Sequence, residues 1–317
     1  MANTRSQAVA LIGFGEAGAA FAQGWHGRGI VADLKAYDIK TASADETVRA
    51  GKWADYDKAE VAGCPSVAEA LAGVSAVFSL VTADQANRAA VDAAPLMQPG
   101  TFFFDCNSCA PGTKRRSAET MEEHGILYVD TAVMSPVHPK LHRSPLLISG
   151  TRAEAALPVL KALDMDVRLV PGDVGRASSI KMIRSIMMKG LEALVLECVL
   201  SGRRAGVDED VLNSLDATYP GFDWKAKAAY MFERTLAHGK RRAAEMQEVS
   251  KTVSDLGFPS AMSEATVGWQ QIAGNLGIDT SRLPTDDYRQ LADAILAALD
   301  EPEIGTRTDN PEMEEHS

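Results

Sequence analysis

The chain has 317 residues, 46% of them hydrophobic and 24% charged, an ordinary balance for a globular protein long enough to hold two domains with substantial cores. Its formal net charge of -11 argues against a nucleic-acid partner, which would require clustered Lys and Arg to neutralise phosphates. No apolar run reaches the roughly 18 residues of a membrane-spanning helix, and the N-terminus lacks the succession of a signal peptide, so no membrane partner is expected and the cytoplasm is the expected compartment.

Ala8 to Ile12 reads as a short buried strand and runs directly into Gly13-Phe14-Gly15-Glu16-Ala17-Gly18, a G-x-G-x-x-G turn at the start of a helix. The three glycines serve different ends. Gly13 permits the tight turn, Gly15 lets the backbone approach a pyrophosphate, and Gly18 lets helix and strand pack closely. The helix N-terminus offers backbone N–H groups to phosphate, so Gly13 to Gly18 form a candidate cofactor loop. A second strand, Leu34 to Tyr37, ends in Asp38, about twenty residues beyond the last glycine, where a carboxylate accepts from ribose hydroxyls. A carboxylate there repels a 2′-phosphate and points to NAD, although Lys40 and Thr41 follow closely enough to leave NADP open.

Further on, a helix from Ser66 to Leu71 precedes the buried strand Val74 to Val81, and Thr101 to Asp105, Leu127 to Asp130, Leu146 to Ser149 and Val167 to Val170 read as further strands. The alternation predicts an α/β Rossmann domain, a doubly wound parallel sheet, over residues 1–173. Ligands bind beyond the carboxyl ends of such strands, which selects Val81, Thr82 and Ala83, then Asn107 and Ser108, then Ala132 to Ser135. Cys106 and Cys109 make a C-x-x-C, but Cys64 and Cys198 complete no second pair, so no metal is expected.

After Gly175 the strand signals stop. A segment from about Ala177 to Arg203 has so few polar positions on most of its circumference that it predicts a long helix buried nearly all round, joining the first domain to an all-helical one over 174–300. Further helices are predicted near Glu209 to Leu215, Lys225 to Leu256, Ala261 to Gly274 and Thr285 to Leu299. Residues 301–317 are acidic and carry no apolar periodicity, which predicts a disordered or loosely attached tail.

Lys181 lies near the start of the long apolar helix. Desolvation pushes a lysine towards neutrality, and a neutral amine can take a proton from an alcohol; on pattern alone, a stem that merely covers apolar surface while its head reaches water is the commoner outcome. In the second domain Arg234, His238, Arg241 and Arg242 recur at helical spacing, readable either as a solvated basic face or as anion contacts.

The glycine loop with Asp38, the segment Asp105-Cys106-Asn107-Ser108, and G-x-x-G-x-x-x-x-x-K ending at Lys181 together resemble the 3-hydroxyacid dehydrogenase and 6-phosphogluconate dehydrogenase superfamily over about the first 300 residues. The resemblance implies that Lys181 is the general acid or base, taking the hydroxyl proton while hydride passes to nicotinamide. It also implies a homodimer or higher homo-oligomer in which a neighbouring subunit helps complete the site, so that His238 becomes a candidate substrate contact.

Three departures from the family pattern stand out. Ser185 occupies the position, one helical turn after the lysine, where the family usually has asparagine to hold the substrate; Arg184 lies beside it. The loop after Asp130, Thr131 to Lys140, carries two prolines where the family typically has a glycine-rich strap, leaving Ser135 as the plausible contact and His138 and Lys140 as nearby charges. Met188 stands where decarboxylating members carry glutamate, so decarboxylation is not implied. Imine reductases of this fold generally replace the lysine, and its retention points to alcohol and ketone chemistry.

The expectation is therefore an NAD-dependent dehydrogenase of a small anionic hydroxy acid or related carbonyl. Lys181 and Ser185 are its catalytic pair, Gly13 to Gly18, Asp38, Val81, Thr82 and Asn107 its cofactor residues, and Ser135, Lys181, Ser185 and His238 its substrate contacts. The alternatives are an imine or bulky-ketone reductase and a non-catalytic NAD(H)-binding sensor.

Overall fold

The computed structural model describes residues 8–301; all but the first residue of the expected acidic tail lie outside the described residues. Compact packing divides the chain into two units, one running to Arg184 and including Glu248–Pro259, the other made of Ser185–Gln247 and residues from Ser260 on.

The first unit is built on strands β1 (Ala8–Ile12), β2 (Asp33–Tyr37), β3 (Ala62–Gly63), β4 (Ala76–Ser79), β5 (Phe102–Asp105), β6 (Leu127–Val133), β7 (Leu146–Ser149) and β8 (Val167–Leu169). Their order across one sheet is β3-β2-β1-β4-β5-β6-β7-β8. Helices α1 (Glu16–His26), α2 (Glu46–Lys58), α3 (Val67–Leu71), α4 (Ala86–Ala93), α5 (Pro111–Glu123) and α6 (Ala153–Ala162) fill the connections. Chain order reverses direction between β1 and β4, which is the crevice where doubly wound sheets take ligands.

Alternation of side chains along the central strands supplies both cores. Phe78 and Phe104 stack on one face with Phe21 and Trp25 of α1, their ring centroids 4.7 Å apart, while Val77 and Phe103 face the other with Met121 and Tyr128. Burying each such side chain is worth about 1.5–3 kcal/mol, so the strand ends that carry the site rest on a rigid base.

Two details depart from the expected all-parallel sheet. β6 continues through Thr131, Ala132 and Val133 instead of ending at Asp130, and β7 pairs with it antiparallel. The segment between them contains only a short 3-10 turn at Leu141–Arg143, and an antiparallel return needs no crossover helix. The loop facing the site is therefore shorter than the sequence suggested, starting at Met134.

Helix α7 (Arg176–Ala205) begins in the first unit, and its first turns are held to the sheet there. The buried Asp130 carboxylate accepts from the backbone N–H of Gly175 and of Ser178 at 3.0 and 3.1 Å and from the Ser178 and Ser149 hydroxyls. A carboxylate at a helix N-terminus also answers the helix dipole. These bonds explain why the first turns of α7 pack with the sheet of the first unit.

The second unit contains the rest of α7 with α8 (Asp208–Thr218), most of α9 (Trp224–Asp255), α10 (Ala261–Asn275) and α11 (Tyr288–Asp300). Its core gathers Leu196, Leu200, Phe232, Leu291 and Ile295. Gly239 and Gly274 let α9 and α10 touch backbone to backbone: a Cβ on Gly239 would come within 2.4 Å of the Gln270 carbonyl.

Helix α7 is not buried all round. Met187 and Leu194 are 69% and 57% exposed, whereas the polar Ser185, Lys189 and Glu192 are buried. The polar side is internal because it is paired: Lys189 binds Glu245 at 2.8 Å, and Glu192 takes Arg242 and, at 3.3 Å, the Gln270 amide. Arg242 is accordingly buried, so the basic positions of α9 do not form one solvated face. Glu197 accepts from the Trp269 indole at 2.7 Å, a structural contact. Among the described residues no helix is long and apolar enough to cross a membrane.

Candidate active site

The glycine loop has the shape its residues demand. Gly13 adopts φ +88°, and a Cβ there would stand 2.7 Å from the Leu80 carbonyl, so only glycine lets the turn pass the end of β4. A Cβ on Gly18 would meet the Gly13 carbonyl at 2.9 Å, the close helix–strand approach expected of the third glycine. Gly15 is different: nothing lies within 4 Å of the position its Cβ would take, and no side chain caps the α1 N-terminus behind it. This open, uncapped helix end fits a pyrophosphate.

Asp38 sits just past β2 as expected, but its carboxylate does more than face outward. One oxygen accepts from the Phe14 N–H at 2.8 Å and the other from the Lys40 N–H at 3.0 Å. Asp38 thus ties the glycine loop to the end of β2 while remaining half-buried, with lone pairs left for ribose hydroxyls. Lys52 of α2, which sequence reasoning missed, adds a second tie: its buried ammonium donates to the Phe14 carbonyl at 2.6 Å and pairs with Asp55 at 2.7 Å. Val81 is half-buried and Thr82 exposed at the end of β4.

The end of β5 is held by a buried polar network. Asp105 accepts from the Asn107 backbone N–H at 3.0 Å, the Asn107 amide at 2.8 Å and the Tyr128 hydroxyl at 2.7 Å, and pairs with the Lys114 ammonium at 2.9 Å. Lys114 has no solvent exposure, yet its amine is held above the usual lysine range: desolvation works against the charge, and the carboxylates of Asp105 and Asp130 outweigh it. Asp105 and the Ser79 hydroxyl, the latter at 2.9 Å, both engage the Asn107 Nδ2, which leaves the buried Asn107 Oδ1 without a partner. An orphaned buried acceptor at this strand end fits a ligand that donates an N–H or O–H, such as a carboxamide or a ribose. None of the lysine, tyrosine and serine members of this network announces itself in sequence, because their partners come from other strands.

Cys106 and Cys109 are free thiols buried in the same region, and burial pushes Cys106 up to about 12 and Cys109 well above the usual range. Neither has thiolate character at neutral pH.

Lys181 lies in the second turn of α7, half-buried, with its Nζ donating to the Ser108 hydroxyl at 2.6 Å. The structure thereby brings together the α7 lysine and the residue next to Asn107. Ser185 follows one turn later on α7, buried, its hydroxyl accepting from Lys189 at 3.4 Å. Arg184 reaches the Met134 carbonyl at 3.5 Å, and Ser135 is half-exposed with its hydroxyl on the Pro136 carbonyl at 3.1 Å. His138 and Lys140 are exposed. In the second unit the His238 Nε2 accepts from Arg234 at 2.9 Å.

Residues 8–168 match the family described as the NAD binding domain of 6-phosphogluconate dehydrogenase, and residues 203–272 match a domain family of unknown function, DUF1932. A conserved hypothetical protein from Sinorhizobium meliloti 1021 has a similar structure, with TM-score 0.70 and 35% identity over 93% of this chain and 98% of that one. The Mycobacterium tuberculosis 3-hydroxyisobutyrate dehydrogenase structure with L-serine shares the fold, with TM-score 0.63 and 15% identity over 91% of this chain and 99% of that one. In sequence, the L-threonate dehydrogenase of Cupriavidus necator is 27% identical over 203 residues, 62% of this chain. The chain spans about two thirds of the length of the curated relatives it matches, 63% and 66%. The chain belongs to the 6-phosphogluconate dehydrogenase NAD-binding family, within the 3-hydroxyacid dehydrogenase-like superfamily.

Proposed function

We propose that this protein is an NAD-dependent dehydrogenase that interconverts a small hydroxy acid and its carbonyl counterpart, with Lys181 transferring the hydroxyl proton. The observation that carries the reading is the Lys181 amine held on the Ser108 hydroxyl, at the end of the strand whose Asn107 presents an unpartnered buried acceptor. The uncapped glycine loop and Asp38 support NAD as the cofactor, and the carboxylate of Asp38 disfavours a 2′-phosphate.

The glycine loop and Asp38 would hold the cofactor, which would supply the nicotinamide as hydride acceptor. Lys181 takes the hydroxyl proton at Nζ, and in the reverse direction returns it to the carbonyl oxygen. Ser185, on the next turn of α7, orients the substrate with its hydroxyl. Ser135 is the proposed contact from the shortened loop. A hydroxy acid is the proposed class because a relative is an L-threonate dehydrogenase. We also read the protein as a homodimer, with the exposed Met187 and Leu194 of α7 covered by a second copy.

The test is a panel of hydroxy acids, L-threonate included, assayed with NAD and with NADP. The reading expects NADH formation with at least one hydroxy acid and slower turnover with NADP. Tight NADH binding without turnover across the panel would instead indicate a cofactor sensor, and turnover confined to imines or bulky ketones would indicate a reductase.

A further inference from the structure

We infer that Ser108 is a positioning residue for Lys181: its hydroxyl oxygen holds the lysine amine in the orientation needed for proton transfer and stabilises the ammonium that proton uptake creates. The inference rests on the proposed role of Lys181.

Both sides of the Lys181–Ser108 bond are anchored. Ser108 follows Asn107, whose backbone and side chain are both tied to Asp105, and Asp105 is itself held by Lys114 and Tyr128. Five residues beyond Ser108, the Thr113 hydroxyl at the start of α5 bonds the Glu248 carboxylate at 3.3 Å, and that carboxylate also accepts the Ala110 N–H at 2.6 Å. The segment 105–113 is therefore fixed at both ends by buried or part-buried polar contacts. On the other side, Lys181 stands one turn after Ser178, and Ser178 and Gly175 are clamped by Asp130. A lysine side chain has four rotatable bonds and many rotamers, so a rigid helix alone does not aim its amine. The bond to a serine on a second rigid element does.

The direction of the bond gives Ser108 an electrostatic role. An ammonium has donors only and a serine oxygen has two lone pairs, so Lys181 donates and Ser108 accepts. An acceptor facing the charged form favours that form. As Lys181 takes the substrate proton, the positive charge forms with an oxygen already at 2.6 Å, and no solvent has to reorganise to meet it.

The test compares Ser108→Ala and Ser108→Thr with the wild type and with Lys181→Ala. On the protein alone, the pH dependence of Lys181 acetylation by acetic anhydride is followed by peptide mass spectrometry. Removing the acceptor should move its midpoint to lower pH by roughly half to one unit, while Ser108→Thr, which keeps the hydroxyl, stays near the wild type. With the hydroxy acid that turns over, Ser108→Ala should lower kcat roughly tenfold to a hundredfold and move the acidic limb of its pH profile the same way, with KM for NAD unchanged. An unchanged acetylation midpoint and an unchanged kcat profile in Ser108→Ala would overturn the inference. If Lys181→Ala abolishes turnover while Ser108→Ala leaves it intact, Ser108 alone is refuted; if Lys181→Ala is itself fully active, the proposed function falls with it.

Discussion

At Asp38 one carboxylate holds the Phe14 N–H of the glycine loop, and the proposed function gives it a second part, accepting from the ribose hydroxyls. Asp38→Ala removes both, so NADH binding should weaken roughly tenfold and the preference over NADPH should shrink, measured by fluorescence titration of each cofactor. Asp38→Asn, which keeps an acceptor for Phe14, should retain more NADH affinity than Asp38→Ala; equal losses would mean that the charge itself, and not the tie to the loop, sets the affinity. His142 gives the residue scale a pH dependence. Its buried ring packs where Gly24 of α1 has no side chain, and burial holds the imidazole below its usual range, with Asp164 opposing and Arg28 and Arg143 reinforcing the shift. The folded protein thus binds fewer protons here than the unfolded chain, and stability should fall as pH drops through the ordinary histidine value, roughly 6.5. A His142→Gln variant should lose less melting temperature than the wild type between pH 7.5 and 5.5.

At the scale of elements, legibility followed the range of the contacts. The glycine loop and Asp38 could be read directly because a strand, a turn and a helix start are local structures whose demands fall on adjacent residues. The antiparallel β7 could not, since strand direction depends on whether the preceding connection folds into a helix, and residues 134–145 contain only one short turn. Helix α7 differs from expectation for the same kind of reason. Its apolar composition suggested burial all round, but Met187 and Leu194 are exposed while the polar Ser178, Lys189 and Glu192 are among the residues turned inward, because Asp130, Glu245 and Arg242 arrive from distant segments to pair with them. Burying a charge is tolerated only when such a partner is present, and no window of local sequence contains that information. The same holds for Lys114, whose two carboxylates lie on β5 and β6.

For the molecule as a whole, α7 buries paired polar side chains beside apolar ones and still leaves apolar side chains exposed. The proposed proton carrier Lys181 and the buried Ser185 lie on it one turn apart, and Met187 and Leu194 are left exposed. Such a surface favours self-association, and sedimentation velocity should find a dimer that Met187→Lys combined with Leu194→Glu converts to a folded monomer. A monomeric wild type at micromolar concentration would remove the dimer from the proposal without touching the chemistry. The chemistry itself stands on one amine. With a hydroxy acid that supports NADH formation, kcat of Lys181→Ala should fall about 10²- to 10⁴-fold while NADH affinity, titrated by fluorescence, stays within about twofold of the wild type. A Lys181→Ala enzyme with undiminished kcat would contradict the account.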